Sequence, residues 1–230
     1  MNQEPRPLPD RVEWRVAVGG DETSAVFEPA EIEEQGIVFV CAHGAGGNMN
    51  DRGMLETAKA LRSRGIGVVR FNFLYKEKGS GRPDPMPSLK SCVTAVVARA
   101  REELRPRRLL IGGRSMGGRA ASMLAADGFE CDGLLLLAYP LHPAGQPEKL
   151  RDAHLPAIRV PVLCLNGTRD ALCRKDLMDA ALKTVKTQWV MHWVKGADHS
   201  FHVLKSSGRT DGEVMIEIAN AAEAWAARLK

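Results

Sequence analysis

The sequence predicts an α/β fold in which a mostly parallel central sheet has helices on both of its faces. The first observation is that short apolar runs alternate with amphipathic stretches along the chain. These runs are rich in Val, Leu and Ile and are apolar on both faces, as is typical of strands buried between helices. The second observation is that 230 residues with 44% hydrophobic content can bury one full core. We therefore predict a single domain over residues 1–230, because no linker or internal repeat divides the sequence.

The predicted elements follow one another in a regular order. The opening stretch VEWRVAVGGDETSAVFEP alternates apolar and polar residues around Gly19 and Gly20, which indicates an antiparallel hairpin at one edge of the sheet. Apolar stripes at helical spacing cover residues 54–61, 89–104 and 215–229, and a further helix is expected at 116–126. The predicted parallel strands lie at 37–42, 66–73, 109–112, 134–138, 160–165 and 189–194.

Two segments, 75–87 and 139–156, are predicted to have no regular structure, and each follows a strand. In a parallel sheet the loops after the carboxyl ends of the strands surround the ligand site. Both segments are therefore candidate walls of a site, and an ordinary surface connection is an equally good interpretation. The sequence leaves open whether they form a lid.

Composition and charge exclude several classes of function. The net charge is only +4, and the arginines of segment 99–108 alternate with carboxylates as on a solvated helix face, so we expect no nucleic-acid partner. No apolar run is long enough to cross a membrane, and the five cysteines have no metal-ligand spacing. We expect a cytoplasmic protein that binds no membrane, metal or cofactor. The oligomeric state stays open.

The stretch LLIGGRSMGGRAASMLAAD places a serine between a predicted strand and a predicted helix. Gly113, Ser115 and Gly117 form the pattern Gly-x-Ser-x-Gly, which by composition alone occurs by chance in about one chain of this length in ten. The strand, sharp turn and helix around it are the context of a nucleophile elbow, where small neighbours permit a strained turn. Ser115 is therefore the candidate nucleophile.

A serine hydroxyl needs a base to take its proton and a group to orient that base. Asp170 in LNGTRDAL and His199 in VKGADHSFH each come directly after a predicted strand. The chain order Ser, Asp, His is the order of an α/β-hydrolase triad. Asp198 is adjacent to His199 and points away from it on an extended segment, whereas His202 would replace His199 if the loop folds differently.

An oxyanion hole needs two NH donors. One is the NH of Met116, directly after the candidate nucleophile. The other is expected from the glycine-rich stretch HGAGGN after the first parallel strand, at the NH of Ala45. This stretch lacks the Lys and Ser/Thr of a phosphate-binding loop, so a phosphate cradle is disfavoured.

Other residues near these motifs are candidates for contact with a substrate. Arg114 precedes the nucleophile, where it would form a structural ion pair or bind an acidic group of the substrate. His43 is expected to pack or hydrogen-bond beside the site rather than act as a base. The substrate-binding candidates are His43, Gly44, Tyr75, Arg114, Tyr139 and His142.

The stretches HGAGGNMN, RFNFLYKEKG, IGGRSMGGRAASMLA, LLLLAYPLHPAGQPEKLRD, NGTRDALC and GADHSFHVLKSSGRT together resemble a little-characterised α/β-hydrolase family. This family is akin to dienelactone hydrolases and includes bacterial members and a mammalian testis-expressed homologue; a related domain occurs in a subunit of a chromatin-modifying complex. The resemblance runs from about residue 36 to the C-terminus. It implies an α/β-hydrolase fold with a Ser-Asp-His triad and little or no cap domain. Classical dienelactone hydrolases carry a cysteine nucleophile, so their substrate does not carry over to a chain with Ser115.

The expected function is therefore hydrolysis of a small ester or thioester through an acyl-enzyme intermediate, with a small-molecule acyl substrate as the partner. A noncatalytic interaction module on the same fold is one alternative. Acyl transfer or peptidase chemistry with the same triad is another. The sequence identifies neither the acyl group nor the leaving group.

Overall fold

The computed structural model describes residues 10–32 and 36–229. Its strands form an eight-stranded sheet in the order β1-β2-β4-β3-β5-β6-β7-β8. The strands are β1 (Val12–Val18), β2 (Asp21–Glu28), β3 (Ile37–Ala42), β4 (Ile66–Phe71), β5 (Arg108–Arg114), β6 (Gly133–Leu137), β7 (Val162–Gly167) and β8 (Trp189–Val194).

The pairing of the strands confirms the predicted architecture. β1 pairs with β2 and β2 with β4 in antiparallel fashion, whereas the pairs from β4 through β3 to β8 are parallel. In β1 the buried residues Trp14, Val16 and Val18 alternate with exposed ones, as a hairpin with one solvated face requires. The hairpin turns at Gly19, whose φ of 63° is a conformation that favours glycine.

Helices cover both faces of the sheet and bury two apolar cores. The helices are α1 (Arg52–Arg62), α2 (Leu74–Glu77), α3 (Met86–Leu104), α4 (Met116–Ala126), α5 (Lys175–Leu182) and α6 (Asp211–Ala226), and short 3-10 turns lie at Leu155–Ala157 and Lys205–Ser207. Alternate residues of β3 enter different cores. Val38 and Val40 pack with α3 and α4, whereas Ile37 and Phe39 pack with α1 and α6. This division explains why the strand is apolar along its whole length.

The segment 75–87 was predicted to lack regular structure, and this prediction is wrong at both of its ends. Its first residues belong to α2, and α3 begins at Met86. Pro87 lies in the first turn of α3, where a missing NH costs no helical hydrogen bond. Proline therefore starts this helix instead of excluding it. Segment 139–156 is irregular as predicted, up to the 3-10 turn that begins at Leu155.

Two further features bear on function. The described residues include no large cap above the carboxyl ends of the parallel strands, as predicted. In that same part of the chain, none of the helices combines the length and the hydropathy required to span a bilayer.

Candidate active site

Ser115 lies in the sharp turn between β5 and α4, with φ 49° and ψ −115°. A non-glycine residue in such a conformation stores about 1–3 kcal/mol of strain, which the surrounding structure must overcome. The NH of Ser115 donates to the carbonyl of Leu137 at 2.9 Å, and the NH of Arg119 donates to the carbonyl of Ser115 at 3.0 Å. These bonds hold the turn between a central strand and the first turn of a helix.

Glycines around Ser115 let three backbone segments approach closely. A Cβ on Gly113 would lie 2.1 Å from the carbonyl oxygen of Ala42, and the φ of Gly113 is +137°. A Cβ on Gly117 would lie 2.5 Å from that same oxygen and 2.6 Å from the carbonyl oxygen of His43. The end of β3 therefore lies directly against the start of α4. Larger residues at either position would separate the loop after β3 from Ser115.

The imidazole of His199 joins Ser115 to Asp170. Its Nε2 lies 2.9 Å from Ser115 Oγ, and its Nδ1 lies 2.9 Å from each carboxylate oxygen of Asp170. The carboxylate also accepts from the NH of Leu172 at 2.8 Å and from the side-chain amide of Asn166 at 3.0 Å. The side chain of Asp170 is fully buried, whereas that of His199 is 27% exposed. The buried carboxylate orients a ring whose far edge is open to a substrate.

The neighbouring acidic and histidine residues are engaged elsewhere. Asp198 Oδ1 accepts from the NH groups of Ser200 and His202 at 2.8 and 3.0 Å, so it shapes the loop that carries His199. The ring of His202 pairs with Asp211 at 2.9 Å. Of the two histidines in this loop, His199 is the one within hydrogen-bond distance of Ser115.

Arg114 connects the elbow to the loop of His199. Its guanidinium donates to the carbonyl of His199 at 3.4 Å and lies 5.6 Å from the centre of the Phe201 ring. A Cβ on Gly53 of α1 would come within 2.0 Å of Arg114 Nη1, so the guanidinium fills the space beside that glycine. Burial lowers the pKa of Arg114. The predicted ion pair is not found in the described part of the chain, because a carbonyl and an aromatic ring contact the cation instead.

The loop after β3 is held by a buried imidazole. His43 Nδ1 donates to the carbonyl of Gly44 at 2.8 Å, and His43 Nε2 accepts from the NH of Phe73 at 3.1 Å. Burial lowers the pKa of His43, which favours this neutral ring. The rings of Phe73 and Tyr75 pack edge-on against the imidazole at 4.9 and 5.9 Å. The side chain of His43 has no solvent-exposed surface and holds the loop after β3 through these buried contacts.

The two predicted oxyanion donors belong to the two backbone segments that adjoin Ser115, the loop after β3 and the start of α4. A Cβ on Gly44 would be 3.5 Å from Ser115 Cβ, which places the loop before Ala45 in contact with the nucleophile. Met116 is the first residue of α4, where an NH has no intrahelical acceptor and where the helix dipole favours negative charge. Neither NH of this pair forms a hydrogen bond to another of the described residues. Both remain predictions as donors to a substrate.

The other candidates for substrate contact are internal in this structure. Tyr139 donates its hydroxyl hydrogen to the carbonyl of Arg151 at 2.9 Å, and burial raises its pKa. His142 donates from Nδ1 to the carbonyl of Pro143 and accepts at Nε2 from the NH of Arg174. The side chains of Tyr75, Tyr139 and His142 are buried. Their observed contacts brace the loops beside the site, and contact with a substrate stays a prediction.

Asn166 is a functional candidate that the sequence analysis missed. Its side chain donates to Asp170 and to the carbonyl of Tyr139, each at 3.0 Å, and accepts from the NH of Tyr139 at 3.0 Å. It thereby ties the acid of the candidate triad to the end of β6. The available signal was a single polar side chain inside the buried run VLCLNG, where a burial penalty demands partners.

Comparison with known proteins identifies the family and supports the fold of the chain. Residues 35–227 match the model of a family described as an alpha/beta hydrolase domain. An alpha-beta serine hydrolase homologue from Coxiella burnetii superimposes with a TM-score of 0.76 at 19% identity, covering 95% of this chain and 99% of that one. A lidless α/β serine hydrolase from Xanthomonas campestris gives 0.76 at 22% identity, with 96% and 98% covered. A dienelactone hydrolase from Anabaena variabilis gives 0.73 at 19% identity, with 97% and 99% covered. The match over residues 35–227 shows that the chain belongs to the alpha/beta hydrolase domain family.

Proposed function

We propose that this hydrolase cleaves a small ester or thioester through an acyl-enzyme intermediate on Ser115. The observation that carries the proposal is the continuous chain of hydrogen bonds, each 2.9 Å long, from Ser115 Oγ through His199 to Asp170. An imidazole placed in this way can accept the serine proton while the carboxylate stabilises the imidazolium that forms.

In the first half-reaction Ser115 Oγ attacks the acyl carbonyl carbon while its proton moves to His199 Nε2. The carbonyl oxygen becomes a tetrahedral oxyanion that accepts from the NH groups of Ala45 and Met116. The imidazolium then gives its proton to the leaving oxygen or sulfur as the bond to the acyl carbon breaks. The products are the free alcohol or thiol and an acyl ester on Ser115.

In the second half-reaction a water molecule takes the place of the leaving group. His199 Nε2 removes a proton from the water as its oxygen attacks the acyl carbon, and the same NH pair binds the oxyanion. Collapse of this intermediate breaks the bond to Ser115 Oγ, which regains its proton from His199. The enzyme is restored and the acid is released.

Labelling with a fluorophosphonate probe tests the proposal. We expect the wild-type protein to be labelled and Ser115→Ala to lose labelling, together with a fall in ester turnover of at least about 10⁴-fold. Ser91→Ala is the matched control, because Ser91 is an exposed serine on α3. Thermal unfolding of both variants establishes that they are folded. Equal labelling of wild type and Ser115→Ala would reject Ser115 as the nucleophile.

A second measurement separates hydrolysis from acyl transfer by the same residues. Product analysis in the presence of added alcohol, thiol and amine acceptors should show the free acid as the main product. A predominant acyl-acceptor product would instead identify a transferase.

A further inference from the structure

Arg119 and Arg151, two arginines near the candidate active site, form no ion pair with any of the described residues. Arg119 belongs to α4, and its NH donates to the carbonyl of Ser115 at 3.0 Å, so it follows Ser115 by one helical turn. Side chains on a helix lean toward its N-terminus. The long side chain of Arg119 therefore leans toward the end of α4 that carries Ser115.

The guanidinium of Arg119 is partly withdrawn from solvent without a protein partner. Its Nε is buried, and the hydrogen on it is donated to no acceptor among the described residues. Within the described residues, 10–32 and 36–229, the side chain of Arg119 forms no ion pair and no hydrogen bond. A buried donor without an acceptor destabilises the folded protein, because it has lost its hydrogen bond to water. A ligand that supplies an acceptor to this Nε would remove that unfavourable contribution.

Arg151 brings a second positive charge to the same place. It lies in the loop after β6, at the end of the sheet where Ser115 lies, and its carbonyl is fixed by the hydroxyl of Tyr139 at 2.9 Å. Burial and the nearby charge of Arg119 both lower the pKa of Arg151. Its guanidinium likewise pairs with no carboxylate of the described residues. Like charges that approach without a counter-ion repel each other, so the protein retains an unfavourable arrangement.

A neutral histidine fixes this loop against α4. His154 Nε2 lies 2.8 Å from the hydroxyl oxygen of Ser122, which follows Arg119 by nearly one turn. Burial and the charge of Arg119 lower the pKa of His154 to about 4. The imidazole therefore adds no third charge near neutral pH. It holds the loop segment of Arg151 close to the helix segment of Arg119.

We propose that Arg119 and Arg151 form a binding subsite for a carboxylate carried by the substrate. This inference rests on the proposed function and names the substrate class: an ester with a free carboxylate on its acyl part or on its leaving group. Guanidinium groups present planar pairs of donors that match a carboxylate. A carboxylate bound between two of them attracts both, and this attraction offsets the repulsion between the two positive charges. The subsite selects substrates that carry a carboxylate and takes no part in bond breaking.

Matched pairs of a charged and a neutral ester test the proposal. The first pair is 4-nitrophenyl hemisuccinate and its methyl ester, which place the charge on the acyl side. The second pair is 3-butyryloxybenzoate and its methyl ester, which place the charge on the leaving group. We expect the wild-type enzyme to prefer the charged member of one pair by about 10-fold or more in kcat/KM, as a charge-assisted hydrogen-bond pair provides.

Variants assign that preference to the two arginines. Arg119→Gln and Arg151→Gln should each reduce kcat/KM for the preferred charged ester by about 10-fold or more and leave the neutral ester within about twofold. Arg119→Lys keeps the charge without the planar donor pair, so an intermediate loss is expected. Arg159→Gln is the control, because it removes the same charge from an exposed position near the loop. Thermal unfolding shows whether each variant is folded.

Binding to Ser115→Ala, measured by calorimetry with 4-nitrophenyl hemisuccinate and with 3-butyryloxybenzoate, separates this inference from the proposed function. A tenfold weaker affinity after adding Arg119→Gln supports the subsite even where the wild-type protein shows no turnover. Turnover of the neutral esters without preference for either charged ester would overturn the subsite and retain the proposed function. An equal loss of preference in Arg159→Gln would also overturn it, since general attraction of anions would then be the cause.

Discussion

Substitution of Gly117 by alanine tests whether close contact between β3 and α4 sets the geometry of the oxyanion hole. The new Cβ would lie 2.5 Å from the carbonyl oxygen of Ala42, whereas ordinary van der Waals contact begins at 3.4 Å. The loop after β3 and the start of α4 would therefore have to separate by about 0.9 Å, the difference between these two distances. Both proposed NH donors, on Ala45 and Met116, lie on the segments that would move apart.

The size of the effect follows from this separation. Oxyanion donors act at about 2.7–3.1 Å, so a displacement of about 0.9 Å removes most of the contribution of one donor. Loss of one donor costs about 100- to 1,000-fold in kcat. Stability should change less, because overpacking costs about 1–3 kcal/mol while alanine in place of glycine favours a helix by about 1 kcal/mol. We expect a folded protein with a strongly reduced kcat.

The assay is steady-state hydrolysis of a neutral ester combined with thermal unfolding. Gly212→Ala provides the control, because Gly212 is also the second residue of its helix and a Cβ there would lie 3.8 Å from Thr210 Oγ1, an ordinary contact. This control should retain kcat and unfold at the same or a higher temperature. A Gly117→Ala enzyme with wild-type kcat would refute the reasoning.

Two more predictions follow from contacts around the site. In Gly53→Ala the new Cβ would lie 2.0 Å from Arg114 Nη1, so the guanidinium must move away from the carbonyl of His199. We expect kcat to fall by about 10- to 100-fold with little change in KM, because the loop that carries His199 loses this contact. An unchanged kcat would contradict a positioning role for Arg114. The second concerns His154, whose pKa is lowered to about 4, so the unfolded chain binds a proton below about pH 6.5 that the folded protein does not bind. Stability should be full above about pH 6.5 and fall as the pH drops toward 4. His154→Gln should make the unfolding temperature less dependent on pH in this range. An equally steep dependence would contradict the conclusion that His154 is buried in its neutral form.

Most of the fold was predictable because its signals are local. The run 37–42 is apolar at every position, and the structure shows why: alternate residues of β3 face the two cores. The elbow around Ser115 was also visible, since the strained turn requires small neighbours directly beside the serine. The short helix α2 was missed because four residues give no helical period to detect.

The supporting contacts of the site could not be predicted because they depend on strand register. Asn166 reaches Tyr139 only because β6 and β7 pair so that Leu137 lies beside Leu165, and this offset is not encoded within either strand. Arg114 meets the carbonyl of His199 across 85 positions of sequence. These contacts share one physical origin. At the end of the sheet the strands no longer provide hydrogen-bond partners for one another's backbone NH and carbonyl groups, so side chains from distant segments bond to those groups instead. The same region carries Ser115, so the groups that orient the candidate triad also close the end of the sheet, and a substitution there should be judged by turnover and unfolding together.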